Sequence, residues 1–162
     1  GVYTAIDLIS QTLGDQMTAN TLVTDLRDRF DQLAVHPVSG TIYYEVSPLE
    51  YCLWTAGQGS FLNEIGDIIG LTNCFAEVSG WAEISAEQVL ACDPDYILTI
   101  TMYDGSGLSP ADEISQRPGW SDIKAVKNNA ILNLPDNEMS RPGPRLADGA
   151  EALASFVSDH QS

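Results

Sequence analysis

The segment Asp95–Ile100 constrains the fold more than any other part of the chain. It is an almost unbroken apolar run directly after Asp93-Pro94, and such a run is typical of a strand that is buried on both faces of a parallel sheet. Two more β-branched or aromatic segments, Thr41–Val46 and Ala130–Leu134, predict further strands. Helical patterns separate the three, so the sequence predicts an α/β fold with three layers and a mainly parallel sheet.

A long amphipathic helix precedes the first strand. It is predicted over Ala19–Ala34 and ends near His36-Pro37, because a residue before proline is disfavoured in the helical region. Its apolar residues recur every three or four positions: Leu22, Val23, Leu26, Phe30 and Leu33.

The remaining helices carry clear end signals. Ser60 is expected to cap Phe61–Ile69, and Gly70 to end that helix. Ser85 and Gln88 form the pattern of a capping box at the start of the next helix, and a closing helix is predicted over Arg145–Val157. Two segments rich in turn residues are predicted to be loops: Ser47–Gly59 and Tyr103–Pro110.

The charge balance excludes several classes of function. Seven basic residues face 23 acidic ones, which gives a formal net charge of −16 and argues against binding to nucleic acid or to anionic lipid. No Lys or Arg occurs between Arg29 and Arg117, although this stretch is rich in Asp and Glu. A solvated acidic surface is the simpler explanation, and a surface that docks on a basic partner is the alternative.

Nothing in the sequence requires an enzyme or a metal centre. The chain has only two histidines, which argues against a Ser-His-Asp hydrolase. Gly57-Gln58-Gly59 lacks the third glycine of a dinucleotide-binding loop. Cys52, Cys74 and Cys92 have no metal-ligand spacing and are interpreted as packing residues. A Cys52–Cys74 disulfide is conceivable, since both lie in expected loops.

Several segments, in a fixed order, resemble one protein family. Trp81 lies in a Gly-Trp-Ala-Glu-Ile-Ser-Ala-Glu-Gln segment, and it is followed by Asp-Pro-Asp-Tyr-Ile, Arg-Pro-Gly-Trp and Arg-Pro-Gly-Pro-Arg. Together with the segments at 57–61 and 70–73 they cover about residues 57–157. In this order they resemble the substrate-binding proteins of ABC importers for cobalamin, ferric siderophores and haem.

The resemblance implies a two-lobed protein with ligand held between α/β lobes that one rigid helix connects. Residues 1–37 would be the end of the N-terminal lobe and the connecting helix, and residues 38–162 the Rossmann-like C-terminal lobe of a class III periplasmic binding protein. The N-terminal lobe would then be missing from this chain.

The resemblance further implies an extracytoplasmic protein, periplasmic or tethered as a lipoprotein, that is not an enzyme and has no covalent cofactor. Its partners would be a ferric siderophore or corrinoid, the membrane permease and the missing lobe, without nucleic acid. The alternatives are a haem-binding protein of the same family and a non-catalytic interaction domain.

Five residues are candidates for ligand contact. Trp81 is expected in a strand-to-helix loop, where its flat ring could cover a ligand, and Trp54 and Tyr51 are expected in the loop after the first strand. Arg145 is a cation at the start of a helix, against the helix dipole, so it has either a carboxylate partner such as Asp148 or an anionic ligand group; Arg141 precedes it in a loop. Trp120 is interpreted as structural.

One residue is a candidate for permease docking. In the family a glutamate of each lobe engages permease arginines, and the resemblance places this role on Glu87, in the Ser85-Ala86-Glu87-Gln88 segment. The alternatives are that Glu87 only supports its helix end, or that the nearby Glu83 takes the role.

Overall fold

A computed structural model describes Thr4, Leu8, Gln11 and residues 16–47, 49, 52–135 and 145–161. Its centre is a four-stranded parallel sheet of β1 (Thr41–Glu45), β3 (Thr72–Asn73), β5 (Tyr96–Thr99) and β6 (Ile131–Asn133), in the spatial order β3-β1-β5-β6. The three predicted strands are confirmed, each slightly shorter than expected.

An antiparallel ribbon of two strands lies beside this sheet. It consists of β2 (Leu53–Ala56) and β4 (Trp81–Ile84), with Trp54 opposite Glu83 and Ala56 opposite Trp81. The prediction of an unbroken loop over Ser47–Gly59 is therefore wrong. The local pattern is too short to reveal β2, because its four residues are stabilised by pairing with a strand that is distant in sequence.

The helices begin and end where the capping signals indicate. Ser60 Oγ accepts a hydrogen bond from the Asn63 backbone amide, and Gly70 ends the helix at φ 95°. Ser85 and Gln88 form the predicted capping box. The helices are α1 (Gln16–Val35), α2 (Phe61–Ile69), α3 (Ala86–Cys92), α4 (Pro110–Ser115), α5 (Lys124–Lys127) and α6 (Arg145–His160).

The core forms between the sheet and its helices. All four residues of β5 are buried, as expected for a strand covered on both faces, and α1 packs against α2 and α6. Trp120 lies in a short 3₁₀ turn, only 2% exposed, with its ring edge-to-face with Tyr43. Its structural interpretation is confirmed.

Two of the three cysteines are joined. Cys74, directly after β3, forms a disulfide with Cys92 at the end of α3, whereas Cys52 is a free and exposed thiol. The interpretation of all three as packing residues is wrong, and so is the pairing of Cys52 with Cys74. Spacing gave no signal, because α3 brings Cys92 back to the sheet edge over 18 residues.

Candidate functional site

A groove of about 730 Å³ opens at one edge of the parallel sheet. The carboxyl ends of parallel strands meet at one edge, and this is where open α/β sheets bind ligands. The groove begins at Glu45, the last residue of β1, and continues along the segment after β5 to the first turns of α4. Its size is that of a small-molecule site. It is lined by Glu45, Leu49, Thr101, Met102, Tyr103, Asp104, Ser106, Leu108, Pro110 and Glu113.

Exposed apolar side chains are concentrated at this edge. Met102, the extreme case, is 86% exposed. Nine large apolar side chains are exposed among the described residues, and four of them line the groove while two more lie on the adjoining ribbon. Such a patch beside a concave surface marks a binding site more often than a solvated face. The six are Leu49, Trp54, Trp81, Met102, Tyr103 and Leu108.

The ribbon places two tryptophans on one face. Because Trp54 is opposite Glu83 and Ala56 opposite Trp81, these four side chains share a face of the ribbon. Trp54 is 38% and Trp81 43% exposed. The Val46 amide, one residue past the end of β1, donates to the Trp54 carbonyl at 3.0 Å, so the ribbon adjoins the edge that carries the groove.

The ring of Trp81 packs against the first residue of α2. Phe61, the first residue of α2, contacts it edge-to-face with 5.8 Å between the ring centroids. At the end of β2, the Gly57 amide donates to the Gly80 carbonyl at 2.7 Å. A Cβ atom on Gly57 would lie 2.0 Å from the Val78 carbonyl oxygen, so this close approach requires glycine.

A buried asparagine joins the ribbon to the main sheet. Asn73 Nδ2 donates to the Ala56 carbonyl at 2.7 Å and to Asn63 Oδ1 at 2.9 Å, and its Oδ1 accepts from the Phe75 amide at 2.9 Å. Ala56 is directly opposite Trp81, so this network anchors β2, the strand that pairs with the one carrying Trp81. The ribbon is thus a rigid support for its aromatic face.

A buried ion cluster forms the floor of the groove. Arg117 Nη1 and Nη2 donate to the two carboxylate oxygens of Glu45 at 2.7 and 2.8 Å. Its Nε and Nη2 donate to Glu113 at 3.0 and 2.5 Å. The guanidinium lies 4.6 Å from the centroid of the Trp120 ring, and the Tyr43 hydroxyl donates to Glu45 Oε2 at 3.3 Å.

Burial perturbs the acid–base behaviour of this cluster. It raises the pKa of Glu45, and the hydrogen bonds and charge of Arg117 act in the opposite direction. Burial alone would lower the pKa of Arg117, but its bonds to Glu45 and Glu113 outweigh that, and this pKa is raised. The guanidinium therefore stays charged, and four of its five N–H groups donate to carboxylates.

The structure brings only some of the predicted ligand residues together. Trp54 and Trp81 share the ribbon face, although both lie in strands and not in the loops that were expected. Arg145 is the exposed first residue of α6, and its expected partner Asp148 accepts from Arg29 Nη2 at 2.5 Å instead. Tyr51 and Arg141 lie outside the described residues.

The docking candidate lies on the helix that follows the ribbon. Glu87 is exposed in the first turn of α3. Hydrogen bonds from its own backbone amide and from the Ser85 side chain lower its pKa, so it is ionised at neutral pH. Glu83 is also exposed but shares the ribbon face with the tryptophans, so it faces the same way as the aromatic surface.

Sequence reasoning missed the acidic floor. Glu45 and Arg117 are 72 residues apart, and neither position has a local signal of its partner. The position of Glu45 as the last residue of a predicted strand is the one available hint, since ligands bind where parallel strands end.

Neither a metal centre nor a membrane span is found in the part of the chain that the structure describes. No group of three or more His, Cys, Asp or Glu side chains is arranged there to hold a metal ion. The helices of that part are too short or too polar to cross a bilayer.

The sequence matches a family model described as periplasmic binding protein over residues 1–138. The chain is also similar to the ABC transporter substrate-binding lipoprotein YvrC of Bacillus subtilis strain 168. The two are 31% identical over 162 residues, which is 96% of this chain and 49% of the relative.

Two further similarities agree with that match. The vitamin B12-binding protein of Vibrio cholerae is 25% identical over 156 residues, covering 94% of this chain and 54% of the relative. The crystal structure of an ABC-type Fe³⁺-hydroxamate transport system from Saccharomonospora viridis superposes with a TM-score of 0.82 at 26% identity, covering 95% of this chain and 54% of that one. The chain spans about half the length of the curated relatives it matches.

Proposed function

The chain belongs to the periplasmic binding protein family, and from this we propose that it is one lobe, with the connecting helix, of the substrate-binding protein of an ABC importer. In this proposal residues 1–37 end the N-terminal lobe and form the connecting helix, and residues 38–162 are the C-terminal lobe. The protein captures a metal chelate, either a ferric siderophore or a corrinoid, and delivers it to the permease without covalent chemistry. The single supporting observation is the groove at the strand ends with its exposed apolar side chains.

The disulfide supports an extracytoplasmic location. A Cys74–Cys92 bond persists in an oxidising compartment and is rarely kept in a reducing cytosol. This agrees with the relative that is named a lipoprotein.

The ribbon face is the proposed wall for the flat side of the ligand. Trp81 lies on β4, which pairs with the strand that Asn73 anchors, and its ring packs against Phe61, so the ring is ordered before the ligand arrives. A pre-ordered aromatic surface loses little conformational entropy on binding. Trp54 extends the same surface, while Tyr51, Arg141 and Arg145 remain proposed contacts on the strength of the resemblance.

Ligand titration of a two-lobed protein that carries this chain tests the function. Cyanocobalamin, a ferric hydroxamate, ferric citrate and haemin are titrated by calorimetry into that protein and into the 162-residue chain alone. We expect sub-micromolar binding of one chelate to the two-lobed protein, and binding at least about 100-fold weaker to the chain alone, because half a cleft buries far less of the ligand. Sub-micromolar binding by the chain alone contradicts the two-lobe proposal, and no binding to either contradicts chelate capture.

Replacing Trp81 by Ala tests the aromatic wall. We expect ligand affinity to fall by about 1–3 kcal/mol, the scale for losing one buried aromatic face, with little change in melting temperature. Val35→Ala is the control, since Val35 is 66% exposed at the end of α1, far along the chain from the ribbon. A large drop in melting temperature with unchanged affinity assigns Trp81 to the core instead.

Charge reversal at Glu87 tests permease docking. Glu87→Lys should leave ligand affinity intact and reduce uptake, because like charges at a docking point cost several kcal/mol. Glu77→Lys, at another exposed position, controls for the change in net charge. Normal uptake by Glu87→Lys at matched expression removes the assignment, and a defect in Glu83→Lys alone transfers it to that residue.

A further inference from the structure

Among the residues that the structure describes, three carboxylates and no cation line the groove. Glu45, Asp104 and Glu113 are among the ten residues that line it, and Lys and Arg are absent from that set. The cavity, its place at the strand ends and its apolar walls make it a binding site; the carboxylates determine the chemistry that it accepts.

The arginine beneath the groove is not available to a ligand. Arg117 uses Nε, Nη1 and Nη2 on Glu45 and Glu113, and its side chain is only 3% exposed. One positive charge therefore neutralises one of its two carboxylate partners. An anionic ligand that approaches the groove finds this guanidinium buried and bound by two carboxylates.

The uncompensated charge lies on the solvent side of the cluster. The side chain of Glu45 is 2% exposed and both of its oxygens are occupied, whereas that of Glu113 is 41% exposed and lines the groove. Asp104 adds a second exposed carboxylate, whose Oδ1 accepts from the amide and hydroxyl of Ser106. The described lining residues thus present net negative charge to a ligand in the groove.

We propose that Glu113 is a specificity-determining residue, which selects chelates whose edge towards this lobe carries hydrogen-bond donors or positive charge. Amide or ammonium groups on that edge complete the free acceptor positions of Glu113, and charge-assisted bonds of this kind are the stronger ones. Carboxylates on that edge of the ligand are repelled, and no hydrogen bond or cation compensates the free energy that they lose on leaving water. This inference rests on the proposed capture of a metal chelate.

Four probes on the two-lobed protein that carries this chain test the selection. Ferrioxamine B has an ammonium group and cyanocobalamin a fringe of amides, whereas ferric citrate and haemin present carboxylates. Of each pair we compare the probe that binds more tightly. We expect the wild type to bind the probe with ammonium or amide groups at least tenfold more tightly than the probe with carboxylates. Glu113→Gln should reduce that ratio about tenfold, because it removes the charge and keeps an acceptor for Arg117.

Two matched variants isolate the charge of Glu113. Glu113→Asp, which retains the charge, should keep most of the preference. Asp25→Asn makes the same change in net charge at an exposed position of α1, outside the residues that line the groove, and should leave the ratio unchanged.

The outcomes separate this inference from the function on which it rests. If the wild type binds no probe, the proposed capture of a chelate is contradicted, and so is the inference that rests on it. If a probe binds but the ratio is the same in wild type and Glu113→Gln, or favours carboxylate edges from the start, only the inference is overturned. A salt series on the wild type tests the inference without any variant. The ratio of the two affinities should fall as NaCl rises from 0.05 to 0.5 M, because salt shortens the Debye length and screens the charge of Glu113. A ratio that does not change with salt overturns the inference.

Discussion

Two ion clusters of the same composition lie in different parts of this molecule. Arg117 holds Glu45 and Glu113 beneath the groove, and Arg29 holds Asp148 and Glu151 between α1 and α6. Each has one guanidinium and two carboxylates. The arginine side chain is 3% exposed in the first cluster and 26% in the second.

The difference in burial gives the two clusters different roles. Removing one member of a buried pair leaves a desolvated charge without a partner, whereas solvent replaces most of what an exposed pair provides. The cluster of Arg29 therefore links α1 to α6 and contributes little to the free energy of unfolding. The cluster of Arg117 fixes the geometry of the groove floor, where the last residue of β1 meets α4.

The largest expected effect is that of Arg117→Ala. Two carboxylates would face each other, one of them buried, and the loss in the free energy of unfolding should be about 3–5 kcal/mol. Urea unfolding followed by circular dichroism measures it. A loss below about 1 kcal/mol would show that water reaches this cluster as freely as the one on the helices, and would end the comparison.

A smaller effect is expected from Glu45→Gln. The amide can still accept from Arg117, and Glu113 remains as the counter-charge, so the loss should be about 1.5–3 kcal/mol, the scale of one hydrogen bond to a charged group. Glu151→Gln makes the same change in the exposed cluster and should cost less than about 0.5 kcal/mol. Equal losses in the two variants would contradict the importance of burial.

The smallest effect is expected from Arg29→Ala. It should cost about 0.5–1 kcal/mol in low salt, and raising NaCl to 1 M should abolish most of that loss, since exposed charges are screened over a few ångströms there. Parallel unfolding series at 0.05 and 1 M NaCl measure this. A loss that is large and independent of salt would mean that the α1–α6 contact is itself desolvated.

The elements that could be predicted are those with local causes. The strands at Thr41, Tyr96 and Ile131 have β-branched and aromatic runs, and the caps at Ser60 and Ser85 act within one helical turn. The physical reason for each is contained in a few consecutive residues, so the sequence shows it.

The features that could not be predicted depend on distant partners. Ribbon strand β2 exists because β4 pairs with it, and Asn73 reaches across 17 residues to the Ala56 carbonyl. Glu45 is an ordinary strand-end residue until Arg117 approaches it in the fold. Trp54 and Trp81 were identified as ligand candidates without the knowledge that they share a face, because that depends on register.

The three cysteines also determine how the reduced chain can be refolded by oxidation. When a reduced chain is oxidised, it has a choice of three single disulfides, and only the one between Cys74 and Cys92 matches the folded molecule. Both wrong pairings contain Cys52, and in each of them the thiol that can attack the disulfide and exchange it is the remaining one, Cys92 or Cys74. Cys52→Ser would leave Cys74–Cys92 as the one possible pairing within the chain, so that recovery of folded protein would no longer depend on disulfide exchange in the redox buffer.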